Sequence, residues 1–225
     1  MTVLGVFFST WPDDFPIMAR GLLTALELTG VSLAIGFPLG LLFAVMTMAS
    51  SRPLNVAALL FVEIGRGAPL LILLELIYFG LPQAHLTLTQ FTAAVVAFAW
   101  STGAYSSEIL RASLEAVPHG QREAAAAVGF SRLDASVLVI LPQAIRIAIP
   151  PLMSVAIQIF QATSLAFVIA LPEVMSRAYE TGSVTFEYLN VFLLAAALYA
   201  AVSLPASLLV GIVERRLGRH LEHTT

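Results

Sequence analysis

Five stretches of this 225-residue chain are apolar for long enough to cross a lipid bilayer, a task that takes about 20 mostly apolar residues per helix. They lie at about 21–48, 55–80, 89–110, 145–169 and 188–213. Only 11% of the residues are charged, against roughly 25% in a soluble domain, so most of the surface must face lipid. The predicted fold is an all-α membrane protein with five transmembrane helices in a single domain, residues 1–225. The second block is read as a span despite Glu63, Arg66 and Glu75. The fourth holds Pro150 and Pro151, and its continuation QATSLAFVIALP (161–172) reads as a broken helix. Proline removes a ladder donor, and such breaks survive in membranes where the freed backbone groups face protein or a wet cavity. The break therefore hints at a pathway.

Several functions are excluded by what the chain lacks. It has no cysteine, and its four histidines, His85, His119, His220 and His223, have no metal-ligand spacing, so no metal site is expected. A formal net charge of −3 gives no footprint for nucleic acid. There is no G-x-x-x-x-G-K-[ST] phosphate loop and no serine in a nucleophile elbow. The chain is thus read as non-catalytic, with no cofactor of its own. The N-terminal MTVLGVFFSTWPDDFP has no basic segment before its apolar part and carries Asp13 and Asp14, so it is not read as a cleaved signal.

Arginine sets the orientation, because short cytoplasmic loops are enriched in basic residues. Arg52 follows the first span. Arg111, Arg122, Arg132 and Arg146 lie between the third and fourth, and Arg215, Arg216 and Arg219 follow the fifth. All three regions fall on one side. The other side has the acidic N-terminus, the charge-free loop LPQAHLTLTQ (81–90), and a connection holding Glu173, Glu180 and Glu187 against Arg177. The N-terminus is expected outside and the C-terminus in the cytoplasm, with one long inner loop at about 112–144.

Within that loop, QREAAAAVGF (121–130) reads as a short helix. Pro118 suits a first turn, Ala124 to Ala127 are strong helix formers, and Gly129 is a stop signal. Two readings are open: a connector, or a docking element for a soluble partner. Spacing favours docking. Glu123, Ala124 and Ala125 are followed by Gly129 and, after nine intervening residues, by Val139, Ile140, Leu141 and Pro142. This resembles the EAA signature of bacterial ABC importer permeases, with Val139 in place of Ile. Further blocks, GLLTALELTG (21–30), EIGRGAPLL (63–71), IYFGLPQ (77–83), AYSSEILR (104–111), VPHGQREAA (117–125), LPQAIRIAIPPL (141–152) and TSLAFVIALPE (163–173), resemble the polar amino acid branch of that family in order.

The resemblance implies the type I, MetI-like permease fold in the bacterial inner membrane. It implies two permease subunits, identical or different, a cytoplasmic ATPase dimer that binds ATP and Mg, and an external solute-binding protein. Residues 118–130 would be the coupling helix, with Glu123, Ala124, Ala125, Gly129, Leu141 and Pro142 as the coupling residues. The cargo would be a polar amino acid or related small zwitterion. Where family members often have Lys-Asp-Thr-Ser-Leu, this chain has Gln161, Ala162, Thr163, Ser164 and Leu165. Two charges are missing and the hydroxyls remain.

Charges inside spans are expensive and mark packing or pathway. Glu63 and Arg66, three residues apart, can share a helix face as a structural ion pair or serve as cavity charges. Glu108 and Arg111 sit where snorkelling to the interface is the default. Glu75 has no sequence-local partner, which leaves a pathway role or a hydrogen-bonded structural carboxyl. Gln158, Gln161, Thr163 and Ser164 are candidate pathway residues; alternatively the hydroxyls bond back to their own helix. An ion-coupled secondary transporter or channel, using Glu63, Arg66 and Glu75 as a relay, is the alternative function. Such a carrier has no reason to keep the E-A-A to L-P register.

Overall fold

Helix α1 runs from Trp11 to Thr47 in a computed structural model that describes residues 11–49 and 51–218. Arg219, His220, His223 and the first ten residues lie outside the described residues. At 37 residues α1 passes through Pro16 and Pro38 and begins well before the apolar block. Residues 11–20, with Asp13, Asp14 and Arg20, continue the helix as a polar extension. Apolarity marks the part that lipid touches, and the hydrogen-bond ladder continues beyond it.

The second block is a correction to the sequence reading. It is a broken pair: α2 (Arg52–Gly67) and α3 (Leu70–Glu75), which continues through a π turn (Leu76–Gly80) and a 3-10 turn (Leu81–Ala84). The chain bends by 109° from one helix to the next. Pro69 is the cause: the residue before a proline is pushed out of the helical region, and Ala68 is extended at φ −83°, ψ 137°. Thr89 then caps α4 (Gln90–Glu115), its Oγ1 accepting the Thr92 N–H at 3.2 Å.

The inner-loop helix is present as α5 (His119–Ala127). After a short turn capped by Ser131 and a π segment (Ala135–Ile140), α6 runs from Leu141 to Ala162. Pro150 and Pro151 do not interrupt it. The break falls where QATSLAFVIALP predicts: the chain tightens into a 3-10 run, Thr163–Ile169, and turns at Ala170 with φ +56°. The following connection holds an unexpected helix, α7 (Val174–Thr185), before the last span, α8 (Tyr188–Gly218).

Among the described residues three continuous helical stretches are long and apolar enough to cross a bilayer, Trp11–Thr47, Arg132–Ile169 and Tyr188–Leu217, and the bent pair makes a fourth. The expected count of five is not met by this measure. The remaining block, α4, has 26 residues but less apolarity. It is the central helix, with Ala, Ser, Thr and Gly facing its neighbours, and a helix shielded from lipid by other helices does not need an apolar surface.

Lipid tails are as apolar as leucine, so contact rather than water exclusion holds such helices together, and small residues allow it. On α1, Ala25, Thr29, Ser32, Gly36, Gly40 and Ala44 form a buried stripe. A Cβ on Gly36 would lie 2.5 Å from Thr102 Cβ, and one on Gly40 would lie 2.6 Å from Ser106 Cβ. The pairing 36 with 102 and 40 with 106 makes α1 and α4 parallel. At the other end Met18 packs with Val174, Ala178, Val191 and Leu194, and Trp11 Nε1 donates to Asn190 Oδ1 at 3.0 Å. The starts of α1 and α8 thus lie together, and Arg52, Arg111, Arg215 and Arg216 share the opposite end.

Candidate functional site

The bend between α2 and α3 leaves a space that α4 and α6 wall in. This chamber has a volume of about 340 Å3 and is lined by Arg66 to Leu70 at the bend, Ser101 and Tyr105 on α4, and Gln158 and Ala162 on α6. Two side chains of α4 satisfy carbonyls of the broken span: Trp100 Nε1 donates to Phe61 O at 3.0 Å and Tyr105 Oη to Arg66 O at 3.3 Å. A helix end leaves carbonyls without intrahelical donors, and Tyr105 supplies one.

Arg66 is held at the rim. Its Nη1 lies 3.7 Å from Glu63 Oε1, as the spacing anticipates, and 3.6 Å from Glu108 Oε2 on α4. Arg111 does not simply reach for the interface. It grips Glu108 through Nε and Nη2 and meets Glu115 Oε1 at 2.6 Å. The row Glu63, Arg66, Glu108, Arg111, Glu115 therefore ties the bend to the arginine-rich end of α4.

Of the other pathway candidates, Gln158 and Gln161 share an exposed face of α6, whereas Thr163 is fully buried and Ser164 partly so. Their hydroxyls bond back to the chain, Thr163 to Phe160 O at 2.6 Å and Ser164 to Gln161 O at 2.9 Å. Glu75 is half-buried where α3 gives way to its π turn, with no hydrogen-bond or ionic partner among the described residues.

The sequence reading counted Glu173 only as a loop charge. In the structure it is completely buried and caps α7, accepting the N–H groups of Met175 and Ser176 at 2.7 Å each. Tyr199 Oη on α8 donates to it at 2.8 Å and stands 3.4 Å from Thr163 Oγ1. The helix break, α7 and α8 thus meet at one carboxyl. Burial pushes this carboxyl above its ordinary 4.5, opposed by the Met175 N–H, Tyr199 and Ser176. The folded chain therefore holds the proton more tightly than the unfolded one, so this contribution to stability is full below pH 4.5 and is lost as pH rises through the folded value. Melting temperature is expected to fall over that range. Glu173→Gln should flatten the slope and lower melting at every pH, because its NH2 must face a backbone N–H; an unchanged pH profile in thermal unfolding would contradict this.

At the arginine-rich end α5 is fixed on two sides. Gln143 Nε2 on α6 donates to Gln121 Oε1 at 3.2 Å and to Val139 O at 2.9 Å. Val117, Ile140 and Ala144 form a small core beneath it, with Ala125 buried above. The helix ends in a Schellman turn: Phe130 N–H bonds Ala125 O and Gly129 N–H bonds Ala126 O, both at 3.0 Å, with Gly129 at φ +87°. Glu123, Ala124 and Gly129 are exposed, as are Leu141 and Pro142 at the start of α6. Val128 and Leu133 are more than 70% exposed on this charged segment.

A helical membrane protein with a chamber at a broken span, and a short helix mounted rigidly on the neighbouring span, has the build of a transport permease. The chain belongs to the family of binding-protein-dependent transport system inner membrane components, whose model matches residues 36–219. It is 38% identical to the L-cystine transport system permease protein TcyB of Bacillus subtilis, over 92% of this chain and 89% of that one. The arginine transport system permease protein ArtQ of the same organism is 35% identical over 93% of this chain and 96% of its own. A crystal structure of an amino acid ABC transporter with histidines superposes with a TM-score of 0.89, at 36% identity, covering 93% of this chain and 98% of that one. The fold is that of the ABC importer permeases, and the chain is a non-catalytic transport subunit of the inner membrane.

Proposed function

We propose that this permease forms half of the pathway for a polar amino acid or similar zwitterion, released into it by an external binding protein and driven by a cytoplasmic ATPase pair that binds ATP and Mg. The relatives named for cystine and arginine, and the amino acid ABC transporter whose crystal structure is described as with histidines, support that solute class. The arginine-rich end faces the cytoplasm in this reading. There α5 seats in the ATPase through Glu123, Ala124 and Gly129, Ala125 anchors it from beneath, and Leu141 and Pro142 pass its movement into α6.

The observation that carries the proposal is continuity. One helix, α6, bears the Gln143 joint to α5 at its base and Gln158 and Gln161 near its far end. Two glutamines left exposed on a span are costly against lipid, so this face is assigned to the pathway or the second permease subunit. Ala162 carries no charge; the polar groups that line the chamber are Gln158, Ser101, Tyr105 and Arg66, and Glu75, outside that lining, is assigned to the pathway as a counter-charge for a cationic group. Thr163 and Ser164 serve the pathway by shaping the break.

The test is uptake into proteoliposomes containing this chain, its ATPase, any second permease and the binding protein. Radiolabelled amino acid should accumulate only with ATP and should be indifferent to ionophores. Accumulation driven by an ion gradient without ATP would establish the ion-coupled alternative. Gln158→Leu should lower uptake about five- to thirtyfold, the value of one or two hydrogen bonds at about 1 kcal/mol each, with ATPase activity and assembly intact; unchanged uptake would remove Gln158 from the pathway.

A further inference from the structure

A second cavity lies at the arginine-rich end, between the end of α1 and the loop that carries α5. It is open, with a volume of about 880 Å3, and its walls include Val45, Met48, Leu114, Ile140, Arg122 and Arg132. No Asp or Glu lines it, and neither arginine has a carboxylate partner among the described residues; Arg122 only reaches Leu114 O at 3.5 Å. The apolar wall continues the outer surface of α1, where Leu41, Leu42, Val45 and Met48 are all more than half exposed. Arg122, Ala126 and Phe130, four residues apart, face this cavity, while Glu123, Ala124 and Val128 point elsewhere. The cavity therefore opens on a different face of α5 from Glu123 and Ala124, while Leu141 at the start of α6 borders it.

From this arrangement we infer that the cavity is a binding site for one anionic glycerophospholipid, its phosphodiester between Arg122 and Arg132 and an acyl chain along Val45, Met48 and Ile140. Two unpaired guanidinium groups at the edge of an apolar wall match the charge and the two-part shape of such a lipid, since basic pockets beside spans on the cytoplasmic side favour anionic headgroups. An exposed α1 end that borders both the bilayer and the cavity gives the chain a route of entry. The bound headgroup would join α5 to the membrane surface, so the lipid becomes part of the seat on which that helix moves. The leaflet rests on the orientation proposed above, whereas the binding chemistry does not.

The experiment uses the whole transporter, with its ATPase and any second permease, in phosphatidylcholine nanodiscs. These contain a minor fraction of either phosphatidylglycerol or phosphatidylcholine carrying a photoactivatable acyl chain. The phosphatidylglycerol probe should label residues 45–49 and 135–141 about twenty-fivefold more than the neutral probe. That preference should be lost in Arg122→Gln/Arg132→Gln, given that each basic residue near an anionic surface contributes about a factor of five. Arg122→Lys/Arg132→Lys should retain most of it, and Arg52→Gln should leave it unchanged. Equal labelling by the two probes, or no loss in the double glutamine variant of a transporter that still assembles, would overturn the site. So would crosslinks from these segments to the ATPase in place of lipid. Orientation is read separately by an impermeant thiol reagent on Ala49→Cys, in a chain with no other cysteine. Labelling in intact cells would refute the cytoplasmic assignment and leave the lipid result standing.

Discussion

Gly129→Asp should reduce ATP-driven uptake to background while the chain still inserts and accumulates normally. Gly129 sits at φ +87° and closes the Schellman turn of α5. An L residue in that region costs roughly 1–2 kcal/mol, less for Asp than for most. Among the described residues nothing lies within 4 Å of the added Cβ, so no internal clash adds to that strain. A local penalty of this size should not unfold a polytopic membrane protein. Complete loss of coupling would therefore report what stands outside the chain: a partner surface close enough to reject a carboxylate. Uptake assays beside a membrane-fraction blot separate the two effects, and Gly129→Ala, with the strain but without the charge, should retain partial activity. Normal transport by Gly129→Asp would remove α5 as the docking element.

Gly36→Leu is expected to act in the opposite way, preventing stable accumulation altogether. The added Cβ would meet Thr102 Cβ at 2.5 Å, Thr102 Cγ2 at 2.6 Å and Ala99 O at 3.0 Å. These are a branched side chain held near its backbone and a main-chain oxygen, neither able to swing aside. Relief requires α1 and α4 to separate, which also breaks the contact at Gly40. Overpacking of a close seam costs typically 1–3 kcal/mol and occasionally more, and no water-exclusion force pulls these helices back together in lipid. Gly30→Leu is the control, because nothing lies within 4 Å of a Cβ there. Thermal unfolding in detergent should show a large drop for the first variant and almost none for the second. Equal stability of the two would mean that the α1–α4 seam does not hold the fold.

Local chemistry was legible in the residues. The α5 helix from Pro118 to Gly129 depends on turn and capping preferences within a dozen residues. The break at 161–172 has the same origin, as does the Glu63–Arg66 pair, one helix turn apart. The bend at Ala68–Pro69 carried its signal too, in the proline, but the surrounding apolarity hid it. Hydropathy likewise masked the small-residue stripe on α1, since Ala and Gly count as apolar whether they face lipid or another backbone. The chamber and the Glu173 cluster had no such signal. Tyr199 and Glu173 are 26 residues apart and Trp100 and Phe61 39 apart, so nothing in their local sequence pairs them.

The sequence by itself establishes residence in a bilayer, the short α5 helix and the break after α6, and it carries the resemblance to the importer permeases that the family match bears out. Tertiary packing decides which helices become neighbours, and hence that Arg66, Tyr105 and Gln158 share one chamber while Thr163 is sealed beneath Tyr199. The reason is physical: transfer from water into lipid is scored residue by residue, so it can be read along the chain. Neighbour choice among equally greasy helices depends on backbone approach and on which polar groups find partners, and those are properties of surfaces brought together in space.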